Sequence, residues 1–250
     1  MNPAFKMVAV WCWYRGAGFR GYQQQEGHRT VQGELLRAFK AAGLSRNPNV
    51  AGRTDRGVSA RMQVLSGRIE KEVTGEALVE RVGAHLPFDM GFHLAREVPP
   101  TFHAGFSATL KEYRYELSEK DAGDVALLHE TAALIPGTRD FRVFHFKTSE
   151  TMPRTVTGVE VCPEPGRVTL RFRGEGFARH MVRMLVGGMT AVARGDASLD
   201  DFRAGLFAQT QFHCPTAPAE PLTLWSVEYP RDVDPFTSHE RATFRWPTAT

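Results

Sequence analysis

The order in which two hydrophobic periods alternate constrains this chain more than any other feature. Met7–Tyr14 (M-V-A-V-W-C-W-Y) is β-branched and aromatic and reads as a strand. Thr30–Ala42 places Val31, Leu35, Phe39 and Ala42 on one helical stripe, with Thr30 as N-cap and Gly43 just past the end. A short strand near Asn49–Ala51 follows, then an alternating strand at Gln63–Ile69, a helix at Thr74–Leu86 stopped by Pro87, and a strand at Met90–Val98. The order is β-α-β-β-α-β. It recurs further on: a strand at Lys111–Leu117, a helix at Val125–Ile135, and a hairpin of Arg154–Cys162 and Arg167–Arg173 around Pro163-Glu164-Pro165-Gly166. Then come a long helix at Phe177–Ala193, an added helix at Ser198–Ala208 and a strand at Leu222–Tyr229. Two successive units of this order predict an α+β chain of two ferredoxin-like halves, with mixed or antiparallel sheets around a central cleft. The expected boundaries are 1–104 and 105–230, with a polar, Pro-punctuated tail at 231–250 that is loosely held.

Several function classes are disfavoured by composition. The three cysteines, Cys12, Cys162 and Cys214, are odd in number and far apart, and no C-x-x-C occurs, so neither a disulfide framework nor a zinc site is expected. No run of about 18 apolar residues is present, so no membrane helix is expected, and the N-terminus lacks a signal-peptide pattern. A reduced, cytoplasmic protein fits. The formal net charge is only +3, but 25 of the 31 basic residues are Arg. Guanidinium forks grip phosphate and stack on bases. A codon bias toward Arg produces the same excess, and both readings stand.

Gly16-Ala17-Gly18-Phe19-Arg20-Gly21 spells G-x-G-x-x-G after a strand. In a dinucleotide-binding unit a helix begins within that motif, so that its N-terminus meets the pyrophosphate. Here Tyr22–Arg29 intervenes, and the preceding strand carries two Trp, so a nucleotide cofactor is not expected. The stretch that carries chemistry is Ala51-Gly52-Arg53-Thr54-Asp55-Arg56-Gly57-Val58, which sets one carboxylate in a glycine-flanked turn between two strands. Gly52 and Gly57 mark places where the backbone takes positive φ or is approached closely. A guanidinium beside a carboxylate keeps it ionised and aimed, and such an Asp is a candidate nucleophile.

Read in order, these motifs resemble those of the bacterial tRNA pseudouridine synthase A family. Gly21-Tyr22-Gln23-Gln24-Gln25 is similar to its G-W-Q-x-Q segment, Thr30–Leu35 to its T-V-Q-x-x-L helix start, and Ala51–Val58 to its A-G-R-T-D-x-G-V motif. Phe102–Ala108 resembles F-H-A-R-F-S-A, and Lys111–Tyr115 the following K/R-x-Y-x-Y strand. Pro153–Val156 matches another short signature. Phe177 with His180–Arg183 and Val186-Gly187 resembles an F-x-x-x-M-V-R-x-x-V-G helix, and Ala217–Leu224 the A-P-A-x-G-L-x-L strand. The chain departs from the pattern at Ser59 (usually His), Gly83 and His85 (usually Asn), Gly105 (usually Arg), Pro221 (usually Gly) and Arg15 (usually acidic).

The resemblance implies isomerisation of uridine to pseudouridine in the tRNA anticodon arm, typically at positions 38, 39 and 40, by a homodimer without metal or cofactor. The central cleft is then catalytic. Asp55 is the implied catalytic residue, acting at C1′ or C6 or supporting a glycal-like intermediate. Arg53 orients Asp55; Arg183 supplies a cation in an otherwise apolar helix; Leu222 packs under the base. Tyr113 stacks on the target base and helps remove the C5 proton, whereas Tyr115 on the same face is core. His103 and His180 read as structural. Arg20, Gln23, Gln25 and Arg29 form a loop expected to grip RNA phosphates. A uridine in a stem must leave the stack to be reached, so base flipping is expected. A non-catalytic RNA-binding module on the same sheets is disfavoured, because the RNP-type aromatic pattern is absent.

Overall fold

The computed structural model describes residues 4–44, 47–146, 153–213 and 215–247; Cys214, residues 1–3 and the last residues of the tail, 248–250, lie outside them. The chain divides into two compact units, Met1–Thr109 with Leu224–Thr250, and Leu110–Thr223.

In the first unit, β1 (Phe5–Tyr14), α1 (Val31–Ala41), β2 (Asn49–Val50), β3 (Ser59–Glu70), α2 (Gly75–Gly83) and β4 (Met90–Val98) follow the expected order. β1 is central and antiparallel to both β3 and β4, and the two-residue β2 pairs with β3. α1 starts where the sequence sets its cap: the Thr30 hydroxyl accepts from Gly33 N at 3.2 Å. Gly43 ends it with φ +74, a left-handed conformation that only Gly adopts cheaply. Leu35 and Phe39 of α1 and Leu78 and Val82 of α2 are buried. Each such side chain contributes about 1.5–3 kcal/mol of transfer free energy.

The described part of the tail, 231–247, is packed where a loose segment was expected. After β9 (Leu222–Glu228), α7 (Ser238–Thr243) carries a capping box between Thr237 and Glu240. Phe236 and Phe244 lie against Trp11, with ring centroids 5.6 and 5.0 Å away. Buried Arg61 donates to the carbonyls of Arg241 and Phe244, and Arg96 forms a bidentate pair with Glu240. Two aromatic anchors and two Arg clamps hold a segment whose average composition is polar.

In the second unit, β5 (Leu110–Ser118), α3 (Glu119–Ala122), α4 (Val125–Leu134), β6 (Gly137–Arg139), β7 (Arg154–Glu164), β8 (Arg167–Gly174), α5 (Met181–Ala193) and α6 (Leu199–Phe207) succeed one another. The sheet runs β5-β8-β7-β6, antiparallel throughout. The architecture is α+β, as the periodicities predict. α3 and β6 are too short to be read from periodicity. The expected long helix at Phe177 begins only at Met181, because His180 takes a left-handed conformation (φ 61) and ends an irregular approach through Gly174-Glu175-Gly176. Phe144, Phe202 and Phe212 form an aromatic cluster under α5 and α6, with centroids 5.3–5.7 Å apart.

Candidate active site

The Asp55 turn is a backbone construction. Gly57 sits at φ +82, as its place after Asp55 and Arg56 predicts; Gly52 is not in the positive-φ region. Val58 N donates to Asp55 O at 3.2 Å, closing the turn. A second strand of backbone then straps it. Tyr22 N donates to Thr54 O at 3.0 Å, and Gly57 N to Phe19 O at 3.4 Å.

This strap explains the glycines that look like a dinucleotide fingerprint. A Cβ on Gly16 would lie 2.4 Å from Gly57 O and from the Val58 carbonyl. Gly21, at φ +100, is packed so closely that a Cβ would stand 3.2 Å from Thr54 O and 3.4 Å from the Asp55 carbonyl carbon. The glycines permit one loop to lie on another, which is a close-approach role and leaves nothing for a pyrophosphate to explain.

Below the turn lies a polar network that sequence reasoning missed. Gln63 is fully buried on β3. Its Nε2 donates to Gly52 O (2.7 Å) and to the Tyr14 hydroxyl (3.2 Å), while its Oε1 accepts from Gly52 N (3.3 Å) and Val64 N (3.2 Å). The Tyr14 hydroxyl reaches Thr54 Oγ1 at 2.8 Å. Every donor and acceptor of the amide is used, so the network fixes the residues on both sides of Arg53. Ser59, standing where the resembled family has His, accepts from Gly16 N at 2.9 Å and ties the strap to β3. In a strand buried on both faces, nothing in the periodicity distinguishes Gln63 from a misplaced polar residue.

Asp55 is half-buried beside exposed Arg53 and Arg56. Arg53 stands two residues before Asp55 with an exposed side chain. Its charge bears on Tyr22, a buried phenol whose pKa burial pushes well up and Arg53 draws partly back.

The loop expected to grip RNA divides in two. Arg20 and Gln23 are exposed. Gln25 turns its amide inward onto Arg20 O at 3.0 Å. Arg29 is a clamp: it makes a bidentate pair with buried Asp89 (2.7 and 2.7 Å), donates to Glu34 at 3.2 Å, and lies 4.2 Å from the Phe19 ring centroid. Arg29 uses its guanidinium to brace the strap against two carboxylates, and the residue stays exposed.

In the second unit, β5 turns Lys111, Tyr113, Tyr115 and Leu117 to one face by its period of two. Tyr113 is buried against Phe177, edge to face, with centroids 5.3 Å apart and planes at 83°. Tyr115 is core, as expected: its hydroxyl donates to Pro218 O at 3.1 Å, and burial pushes its pKa up to about 12. Arg183 on α5 donates from Nε to Ala217 O at 2.8 Å, and Ala217 N returns a bond to Arg183 O. The A-P-A segment is thereby tied to the helix that bears the cation. Leu222, at the start of β9, is buried.

The structural reading of His103 also fits. Its Nδ1 accepts from Gly105 N (3.1 Å) and Phe106 N (3.2 Å), and its ring stacks on Phe106 at 4.3 Å. Among the described residues no group of His, Cys, Asp and Glu has the arrangement of a metal site, and no helix is long and apolar enough to cross a membrane.

A family model described as tRNA pseudouridine synthase matches residues 131–230. Relatives match nearly the whole chain. A tRNA pseudouridine synthase A of Geobacillus kaustophilus is 36% identical over 236 residues, covering 86% of this chain and 92% of the relative. That of Listeria innocua is 32% identical over 238 residues (86% and 96%), and that of Methanothrix thermoacetophila 34% over 223 residues (89% and 83%). With the G-R-T-D turn strapped in place on one unit and the Tyr113 strand built on the other, identity over this span shows that the chain belongs to the tRNA pseudouridine synthase A family.

Proposed function

We propose that the protein isomerises uridine to pseudouridine in the anticodon stem-loop of tRNA, at positions 38, 39 and 40, with Asp55 as the catalytic carboxylate. The observation that carries the proposal is the Asp55 turn, which is held by backbone bonds from a second loop and by a saturated Gln63 network. Such preorganisation suits a group that must meet a reacting carbon without rearranging.

The reaction breaks the C1′–N1 bond, rotates the uracil and joins C5 to C1′. N1 ends with a proton and C5 without one, so atoms balance with no redox partner. Asp55 acts at C1′ or C6, or stabilises the glycal-like alternative. Tyr113 stacks on the uracil and takes part in removing the C5 proton. Arg183 supplies positive charge, and Leu222 an apolar floor. The target leaves its stem to reach Asp55. Arg20 and Gln23 contact the backbone from their exposed loop, and a homodimer repeats the basic surface for a substrate longer than one subunit.

The test is incubation with unmodified tRNA, followed by pseudouridine-specific chemical mapping and sedimentation at micromolar protein. Product confined to the anticodon arm, formed by a dimer, is expected. Product elsewhere refutes the position assignment, and a fully active monomer refutes the dimer.

A further inference from the structure

Lys111 is a buried cation that the proposed chemistry leaves without a role. It is 8% exposed, and its Nζ donates at 3.1 Å to a neutral acceptor, the main-chain carbonyl of Glu175. An ammonium carries three donors and a full charge, and burying that charge is costly unless an anion meets it. Among the described residues no carboxylate does. Glu112, its neighbour in sequence, is engaged by Arg114 at 2.6 Å and Arg173 at 3.0 Å, and Glu175 offers only its carbonyl, its carboxylate being exposed.

What lies near Lys111 instead is a second cation. The register pairs Lys111 with Gly174 and Gly174 with Val156, so these three residues form one row across β5, β8 and β7. Arg154, two residues before Val156, belongs to the same face. Gly174, in the middle of the row, leaves room for the Phe177 ring, whose Cζ would stand 3.1 Å from a Cβ placed there. Burial first, and then the charge of Arg154, lowers the Lys111 pKa. Among the described residues Arg154 donates to the carbonyl of Pro153, at 3.2 Å. Two cations on one face, each with a neutral carbonyl partner among the described residues, offer a site for an anion.

We infer that Lys111 and Arg154 form a phosphate-binding pair that holds the RNA backbone next to the base stacked on Tyr113. Tyr113 is the next residue on the Lys111 face of β5, so an anion held by Lys111 lies one side-chain row from the stacking ring. A nucleotide extruded from a stem brings its phosphates with it. The pair therefore positions the flipped nucleotide and does not take part in bond making.

This inference rests on the tRNA reading above. Its experiment measures tRNA binding across salt concentrations for the wild-type protein, Lys111→Gln and Arg154→Gln, with thermal midpoints and pseudouridine mapping run in parallel. Each contacted phosphate adds close to one unit to the slope of log affinity against log salt. Each variant is expected to lower that slope by about one and to weaken binding several-fold. The effect on KM is expected to exceed that on kcat. Arg154→Gln is half-exposed and decides the matter if Lys111→Gln fails to fold. An unchanged salt slope in Arg154→Gln overturns the pair. If the wild-type protein forms no pseudouridine at all, the functional proposal fails, and that outcome is separate from an active wild type whose variants keep its salt slope.

Discussion

The Asp55 turn and the Tyr113 strand carry complementary parts of the proposed chemistry, yet they are built differently. The turn is held chiefly by main chain, with the Gln63 amide bonded beneath it. Glycines at 16, 21 and 57 allow two loops to touch, and their amides and carbonyls pair across the gap. The strand face is held by side chains: Tyr113 on Phe177, Tyr115 on Pro218, and Lys111 on Glu175. A backbone-built site fixes one short carboxylate tightly and tolerates little substitution in its supports. A side-chain-built face offers rings and long cations that can meet a substrate, and it tolerates conservative change.

Substitutions that strike the supports of each region should break this contrast if it is wrong. Gly16→Ala places a methyl against the Gly57 and Val58 carbonyls, with no flexible side chain to move aside. The expected cost is about 3 kcal/mol of stability, with near-complete loss of product, read by denaturant titration and chemical mapping. Gln63→Leu takes away the partner of the Gly52 N–H and carbonyl and one hydrogen bond of the buried Tyr14 hydroxyl. About 2 kcal/mol should be lost, and product formation should fall although Asp55 is untouched. On the strand face, Tyr113→Phe keeps the ring against Phe177. Its unfolding midpoint should move less than that of either turn variant and tRNA affinity should stay within a few-fold, while turnover slows by about tenfold or more; Tyr113→Leu should lose more. Wild-type turnover in both Tyr113 variants would make that residue core alone.

The smallest effect expected lies at the tail. Arg96, through its hydrogen bond, holds Glu240 at a pKa of about 2, below its ordinary value of 4.5. A carboxylate depressed in the fold contributes its full stability above its unfolded value, and loses it as pH falls through the folded one. The packing of the tail on Trp11 should therefore loosen between about pH 4.5 and pH 2, as read by tryptophan fluorescence. Glu240→Gln should flatten that transition.

How legible these regions were in the sequence follows from what holds them. Helix α1 and its Thr30 cap were readable because capping is local chemistry, and Met90–Val98 because alternation marks a strand. The Asp55 turn announced itself through its glycines. Other contacts join residues far apart in the chain: Gly16 to Val58, Arg29 to Asp89, Arg61 to the tail. No local window contains such pairs, so neither the pairing of Arg29 with Asp89 nor the packing of residues 231–247 can be read locally. The start of α5 was misplaced because periodicity sees the apolar positions after Phe177 but not the left-handed backbone at His180.

The central claim is that Asp55, set rigidly by its turn, performs the chemistry. Asp55→Asn preserves the shape of the side chain and removes its charge. Unmodified tRNA incubated with this variant should bind within a few-fold of the wild-type affinity and show no pseudouridine in the anticodon arm, where the wild-type protein produces it. Appreciable pseudouridine from a clean Asp55→Asn preparation would contradict the account.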